Sequence, residues 1–359
     1  MSRLFEPYDF CGIELKNRFV RSATVENMIT PEKMPSERLF NLYEDLARGA
    51  VGLIITSSTR PDRNWQLVPE SKNMCIDRDE LIPGFSSLAE RIHAHGSKVA
   101  MQLGSFLKYG EDLVAPTSII YKWAPDVTPR TLTTDEIGEI IKTYGDAGER
   151  AHKAGFDAVQ LHVAHGYPLC SFLSPLFNQR DDRYGGSAEN RARIIIEMAA
   201  EIKNRTGEDF PVLIKMNVAD FCEGGMVIDD AVEVAKIMAQ NGIAAIETSG
   251  GASGHEVTPL GPVEDSKWTE GYFLEYASAI KEAVDVPVIL VGGLREMNMM
   301  EEVLAQGKAD LFSMSRPFIK EPAIIKRWME GNGEPSDCIS CNGCMDLFTD
   351  GESIECIVD

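Results

Sequence analysis

No apolar stretch in this chain approaches the roughly 18 residues that a membrane-spanning helix requires, so a helical membrane protein is excluded. The opening residues, MSRLFEPYDFCG, lack the basic-then-apolar plan of a secretory leader. Positive charge is scarce, with 35 Lys and Arg against 56 Asp and Glu and a net charge of −21. So acidic a surface repels phosphate backbones and anionic lipid. Nucleic-acid and membrane-surface binding are therefore excluded as the main role, and an anionic ligand would need cations of its own close by. No G-x-G-x-x-G follows any apolar run, no P-loop is present, and no Pro- or Ser-rich linker divides the chain.

What is present is a regular alternation. Short apolar runs fall at 18–20, 51–56, 98–103, 158–162, 211–217, 245–248, 287–291 and 309–313. Strands that are apolar throughout belong to parallel sheets covered on both faces. The spacers read as amphipathic helices over 36–48, 134–154, 229–241 and 274–284, the second opened by a T-x-D-E capping signal. Eight βα units predict an α/β fold of the closed (β/α)8 TIM-barrel type over 1–335. The composition breaks near 331–336, and a short cysteine-rich tail over 336–359 follows. Such barrels place their chemistry on loops at the C-terminal ends of the strands.

Cysteine usage separates the two parts. Cys11, Cys75, Cys170 and Cys222 are scattered, as reduced core thiols are, and a cytoplasmic location is expected. Cys338, Cys341, Cys344 and Cys356 are crowded together, which in a reducing compartment points to a metal before a disulfide. Four thiolates suit an iron–sulfur cluster or tetrahedral zinc equally.

The densest constellation begins where the fourth run ends. His162 and His165 are three residues apart, and Tyr167 follows by two. Two such imidazoles can address one small polar group, and a phenol can supply a proton. The same residues could instead satisfy buried carbonyls at a strand end, and H-x-x-H also admits zinc. After strand seven stands Gly292-Gly293, and after strand eight Ser315-Arg316. Loops in those two positions form the usual phosphate site of a barrel. Lys215 lies in the middle of an apolar run, where burying a cation is costly without a purpose.

The segment His162-Val-Ala-His-Gly-Tyr167, continued by Phe172-Leu-Ser-Pro175, Asn178, Arg180, Asp182, Tyr184-Gly-Gly-Ser187 and Glu189-Asn-Arg191, resembles the signature of the Old Yellow Enzyme family, the FMN-dependent ene-reductases. Pro168 replaces the usual Leu. The resemblance runs from Leu4 to about Arg327 and implies an NADH:flavin oxidoreductase. It implies that NAD(P)H reduces FMN, which then reduces an α,β-unsaturated carbonyl compound. Ala23 and Thr24 would face the isoalloxazine, Gln102 its pyrimidine edge and Lys215 its N1/O2 edge. Gly292, Gly293, Ser315 and Arg316 would hold the phosphate, although the family usually has Gly where Ser315 stands. His162 and His165 would bind the substrate carbonyl, His162 also bordering the cofactor, and Tyr167 would protonate the substrate. His255 matches a substrate-side histidine of the dienoyl-CoA reductase branch. The tail resembles the 4Fe–4S site of that branch, with one residue fewer between Cys341 and Cys344. The alternative is a flavin-dependent amine or ketone dehydrogenase that passes electrons to a partner through the tail. Assembly into a homo-oligomer is left open.

Overall fold

The computed structural model describes residues 2–65, 72–122, 124–252, 257–258, 261–262, 270–349 and 351–358. Eight parallel strands carry the fold: β1 (Phe19–Arg21), β2 (Leu53–Ile55), β3 (Lys98–Leu103), β4 (Ala158–Val163), β5 (Val212–Asn217), β6 (Ala245–Ser249), β7 (Val288–Val291) and β8 (Leu311–Met314). Each pairs with the next, and β8 returns to β1 with Phe312 opposite Phe19, which closes the barrel. Each of the eight expected runs contains a strand, trimmed or shifted by a residue or two. β1 lies one residue later than expected because Asn17 takes the preceding turn, its Oδ1 accepting from the amide of Phe19.

Helices fill the spaces between strands: α1 (Glu37–Arg48), α2 (Ile82–His93), α3 (Thr134–Lys153), α4 (Ala188–Thr206), α5 (Ile228–Gln240), α6 (Leu274–Ala283) and α7 (Met297–Ala305). Beyond β8 come α8 (Arg316–Lys320), α9 (Ile324–Met329) and, in the tail, α10 (Gly343–Thr349). The capping signal acts as read. Thr133 Oγ1 accepts from the amide of Glu136, and the Glu136 carboxylate accepts from the amide of Thr133. α3 and α4 then pack closely at Gly148, where a Cβ would sit 2.8 Å from Ile202.

Two apolar cores result. The larger joins the helices to the outer face of the barrel. The smaller fills the barrel's lower interior, where Phe10 and Leu15 pack against Val20, Leu53, Ala158, Leu213 and Leu311. Phe10 and Leu15 come from a hairpin, Tyr8–Phe10 against Ile13–Leu15, that plugs the N-terminal mouth. Only the C-terminal mouth is left for chemistry. The tail folds back beside that mouth, with the amide of Ile354 donating to the carbonyl of Glu26. Among the described residues no helix is long and apolar enough to cross a membrane.

Candidate active site

A cavity of about 530 Å³ opens at the C-terminal ends of the strands. Ala23, Thr24, Gln102, His162, His165, Tyr167, Lys215, Gly292, Gly293, Ser315 and Arg316 all line it. The chain therefore brings together residues separated by nearly 300 positions. His255 lies outside the described residues.

Its floor is a buried polar chain that crosses most of the barrel. Gln102 Nε2 donates to Gln160 Oε1 at 2.8 Å, and Gln160 Nε2 donates to Glu247 Oε2 at 2.8 Å. The other carboxylate oxygen of Glu247 accepts from Ser22, Ser313 and Lys215 at 2.7, 2.8 and 3.2 Å. Burial alone would raise the Glu247 carboxyl, but Lys215 and these hydrogen bonds outweigh it and hold the group below its ordinary range. The buried cation thus has its counter-charge, and its Nζ is fixed toward the mouth by a further 2.8 Å bond to Ser22 Oγ. Gln160 and Glu247 escaped the sequence reading. A signal did exist, since each is a polar residue inside an apolar run; the fold then pairs Gln160 in register with Gln102, and Glu247 with Lys215.

Above this floor stand the two histidines. His162 is the penultimate residue of β4, whereas His165 takes a left-handed backbone, φ 69°, that a non-glycine residue adopts at a cost. Asn217 Oδ1 holds that turn by accepting from the His165 amide at 2.9 Å. As folded, the rings are bonded to each other, His162 Nε2 to His165 Nδ1 at 3.1 Å, and His165 Nε2 lies 2.8 Å from Ser249 Oγ. Burial, reinforced by Lys215 and Arg60, lowers the His162 imidazole to about 3. Burial, then His162 and Lys215, pushes His165 well below its usual value. Both rings are neutral at pH 7, so each offers one donor and one acceptor rather than a charge. The ring of Tyr167 lies 5.6 Å from that of His162.

The opposite end of the cavity is built from the loops after β7 and β8. Gly292 has φ 114°, and a Cβ there would stand 2.7 Å from the ring of Tyr272, so backbone and ring approach as only glycine permits. Gly293 follows with φ 70°. The Ser315 side chain, where a glycine was usual, bonds Thr24 Oγ1 at 2.8 Å, and its carbonyl accepts from Arg21 at 2.7 Å. Arg316 opens α8 and donates to Asn342 of the tail at 2.6 Å. Volume, paired glycine turns, an arginine and a buried lysine suit a planar heterocycle bearing a phosphate, and a ligand site of this size falls within the ordinary range of roughly 300–1,000 Å³.

Sequence reasoning also missed Arg60, Tyr272 and Phe273, which line the same cavity. No motif marks them, since the segments that carry them reach the mouth only in three dimensions.

Below Arg316 the four tail cysteines line a second, smaller cavity of about 20 Å³. All eight thiols are free. Among the described residues no three His, Cys, Asp or Glu side chains are arranged to hold a metal ion. The donor set nonetheless has the chemistry of a thiolate cluster, and Arg316 and Ser340 border both cavities.

A site of this make-up at the open mouth of a closed parallel barrel is the architecture of the Old Yellow Enzyme class. The chain belongs to the NADH:flavin oxidoreductase / NADH oxidase family, whose model matches residues 3–333. It is 35% identical over 355 residues to an NADH oxidase of Thermoanaerobacter brockii, covering 95% of this chain and 53% of that protein. It is 32% identical over 383 residues to a cinnamate reductase of Clostridium sporogenes, covering 99% and 57%. The chain thus spans about half the length of these two relatives. An NADPH dehydrogenase of Halalkalibacterium halodurans is 35% identical over 325 residues, covering 89% of this chain and 92% of that one. Among solved structures, histamine dehydrogenase from Rhizobium sp. 4-9 superimposes with a TM-score of 0.88 at 26% identity, over 99% of this chain and 52% of that chain.

Proposed function

We propose that the chain binds FMN in the 530 Å³ cavity and acts as an NAD(P)H-dependent ene-reductase on a small α,β-unsaturated carbonyl compound. The observation that carries this reading is the convergence of a cofactor floor, a phosphate end and a proton-donating wall on one cavity. Lys215 and Gln102 would hold the N1/O2 and pyrimidine edges, Ala23 and Thr24 the ring face, and Gly292, Gly293, Ser315 and Arg316 the phosphate. Bound flavin supplies the hydride that adds to the alkene β-carbon and is replenished by the nicotinamide.

The protein's own groups do the rest. His162 and His165 exchange their mutual hydrogen bond for one to the substrate oxygen and withdraw charge from the double bond. Being neutral, they polarise without pairing off a charge. Tyr167 gives the α-carbon its proton. Glu247 keeps Lys215 in place, so a positive charge is already aligned where negative charge accumulates. His255 stays a proposed second group beside the substrate. Under anaerobic conditions the holoprotein should lose its yellow colour with NADH or NADPH and regain it on mixing with an unsaturated ketone. A preparation that remains colourless after soaking with FMN would end this reading.

For the tail we propose a 4Fe–4S cluster on Cys338, Cys341, Cys344 and Cys356, reduced thiols of a cytoplasmic protein, attached to a barrel over 1–335. Its support is the shared lining of one cavity directly beneath Arg316. This arrangement, with the likeness to histamine dehydrogenase, favours a second reading. An amine would be oxidised in the main cavity and electrons would leave through the tail to a partner protein. Turnover of an amine with an artificial acceptor, in the absence of nicotinamide, would support it.

A further inference from the structure

Among the described residues four cations line the main cavity: Arg60, Lys215, Arg295 and Arg316. Three have evident employment. Lys215 pairs with Glu247 at 3.2 Å, Arg295 with Glu270 at 3.2 Å, and Arg316 stands at the phosphate end bonded to Asn342. Arg60 is different. The residue is 8% exposed, and one guanidinium nitrogen donates to the Ser105 carbonyl. Its Nε is buried without a hydrogen-bond partner. Among the described residues, the ionisable groups that act on it are Tyr167, Tyr144 and Cys75, none of them a carboxylate. A buried guanidinium without an anion is expensive, and such charges are ordinarily paired.

Its position says where the anion would come from. Thr59 is in register with Leu103, one residue beyond Gln102, so Arg60 stands nearer the mouth than the cofactor floor. It borders the same cavity as His162 and Tyr167 and is one of the charges that lower the His162 imidazole. It is therefore on the wall assigned to substrate, away from the phosphate end. The neutral imidazoles beside it cannot neutralise an anion.

We propose that Arg60 is the anchor for a carboxylate on the substrate, and that the alkene this site takes is an α,β-unsaturated carboxylic acid rather than a neutral ketone. The proposal rests on the ene-reductase reading and deepens it. An ionised carboxylate feeds electron density into the double bond and slows hydride attack. A guanidinium fork on its oxygens drains that charge and restores the electrophile. The β-carbon gains a hydride, the α-carbon a proton, the π bond is lost, and the nicotinamide that supplied the two electrons leaves oxidised. The chain's net charge of −21 works against the approach of such a substrate, and a cation at the mouth offsets that.

The test uses crotonate and the methyl ketone of the same crotonyl skeleton with holoenzyme and reduced nicotinamide. The readout is the ratio of kcat/KM for acid over ketone. In Arg60→Gln this ratio should fall on the order of 30- to 100-fold, with partial recovery in Arg60→Lys. A ratio that does not change would overturn the proposal. So would a rise in KM for the nicotinamide alone, which would assign Arg60 to the coenzyme's phosphates. The unaltered holoenzyme gives an independent check through perturbation of its visible spectrum. Butyrate should bind at least about tenfold more tightly than its methyl ketone, and the reverse order would reject the anchor. If the wild-type enzyme reduces the ketone and not the acid, this inference alone fails. If it reduces neither although nicotinamide bleaches the flavin, the ene-reductase reading fails with it.

Discussion

At the residue scale the site works by fixing groups before a ligand arrives. Tyr167 has one task in the proposed cycle, protonation of the substrate. Tyr167→Phe should therefore slow alkene reduction about 100-fold while flavin reduction by nicotinamide changes little, as rapid mixing of the two half-reactions will show. Equal slowing of both steps would remove the assignment. Lys215 and Glu247 form a buried pair with side chains 6% and 0% exposed. Lys215→Met strands the carboxylate, so a loss of about 3–5 kcal/mol in urea unfolding is expected, with recovery on adding Glu247→Gln. His162 gives a pH signature. Its unfolded value is 6.5 and its folded value about 3. Its contribution to stability is thus full above 6.5 and lost as pH falls toward 3, because the unfolded chain takes up the proton first. Stability should decline across that window by up to ~1.4 kcal/mol per pH unit, and His162→Asn should flatten the decline.

At the scale of elements, strands set the direction of the site groups and turns set their height. Lys215 and His162 are adjacent in register on β5 and β4, so their spacing is locked by backbone hydrogen bonds. The phosphate end depends instead on turn geometry. Gly292→Ala forces a Cβ within 2.7 Å of Tyr272 and a left-handed φ on a side chain. It should lower FMN retention at least about tenfold while leaving the barrel's circular dichroism intact. The capping box of α3 was legible from four letters of sequence, and Thr133→Ala should cost about 1 kcal/mol. The accessory strand that carries Arg60, Thr59–Arg60, had no such marker. It is two residues long and pairs with β3 only because the chain has already closed into a barrel.

Across the whole molecule, the tail brings a second set of donors up to the mouth of the barrel. Its four cysteines line one cavity next to Arg316. Anaerobically purified protein should contain iron and sulfide in near-equal amounts, and Cys344→Ser should remove both while the flavin bands persist. Zinc in place of iron would overturn the cluster. The barrel itself was determined by the sequence. Eight fully apolar runs alternating with amphipathic spacers leave few other ways to bury both faces of a parallel sheet. The family signature after β4 likewise carried His162, His165 and Tyr167 in one stretch, and the glycine pair declared the phosphate end. Only the closed barrel could decide the rest. The Gln102–Gln160–Glu247–Lys215 chain joins β3, β4, β6 and β5. Arg60 gains its place from a two-residue strand paired to β3, and the two imidazoles meet because a left-handed turn at His165 brings them together. Periodicity reports which face of an element is buried. It does not report which polar groups meet there, because those meetings join residues distant in sequence and are fixed by register and loop geometry.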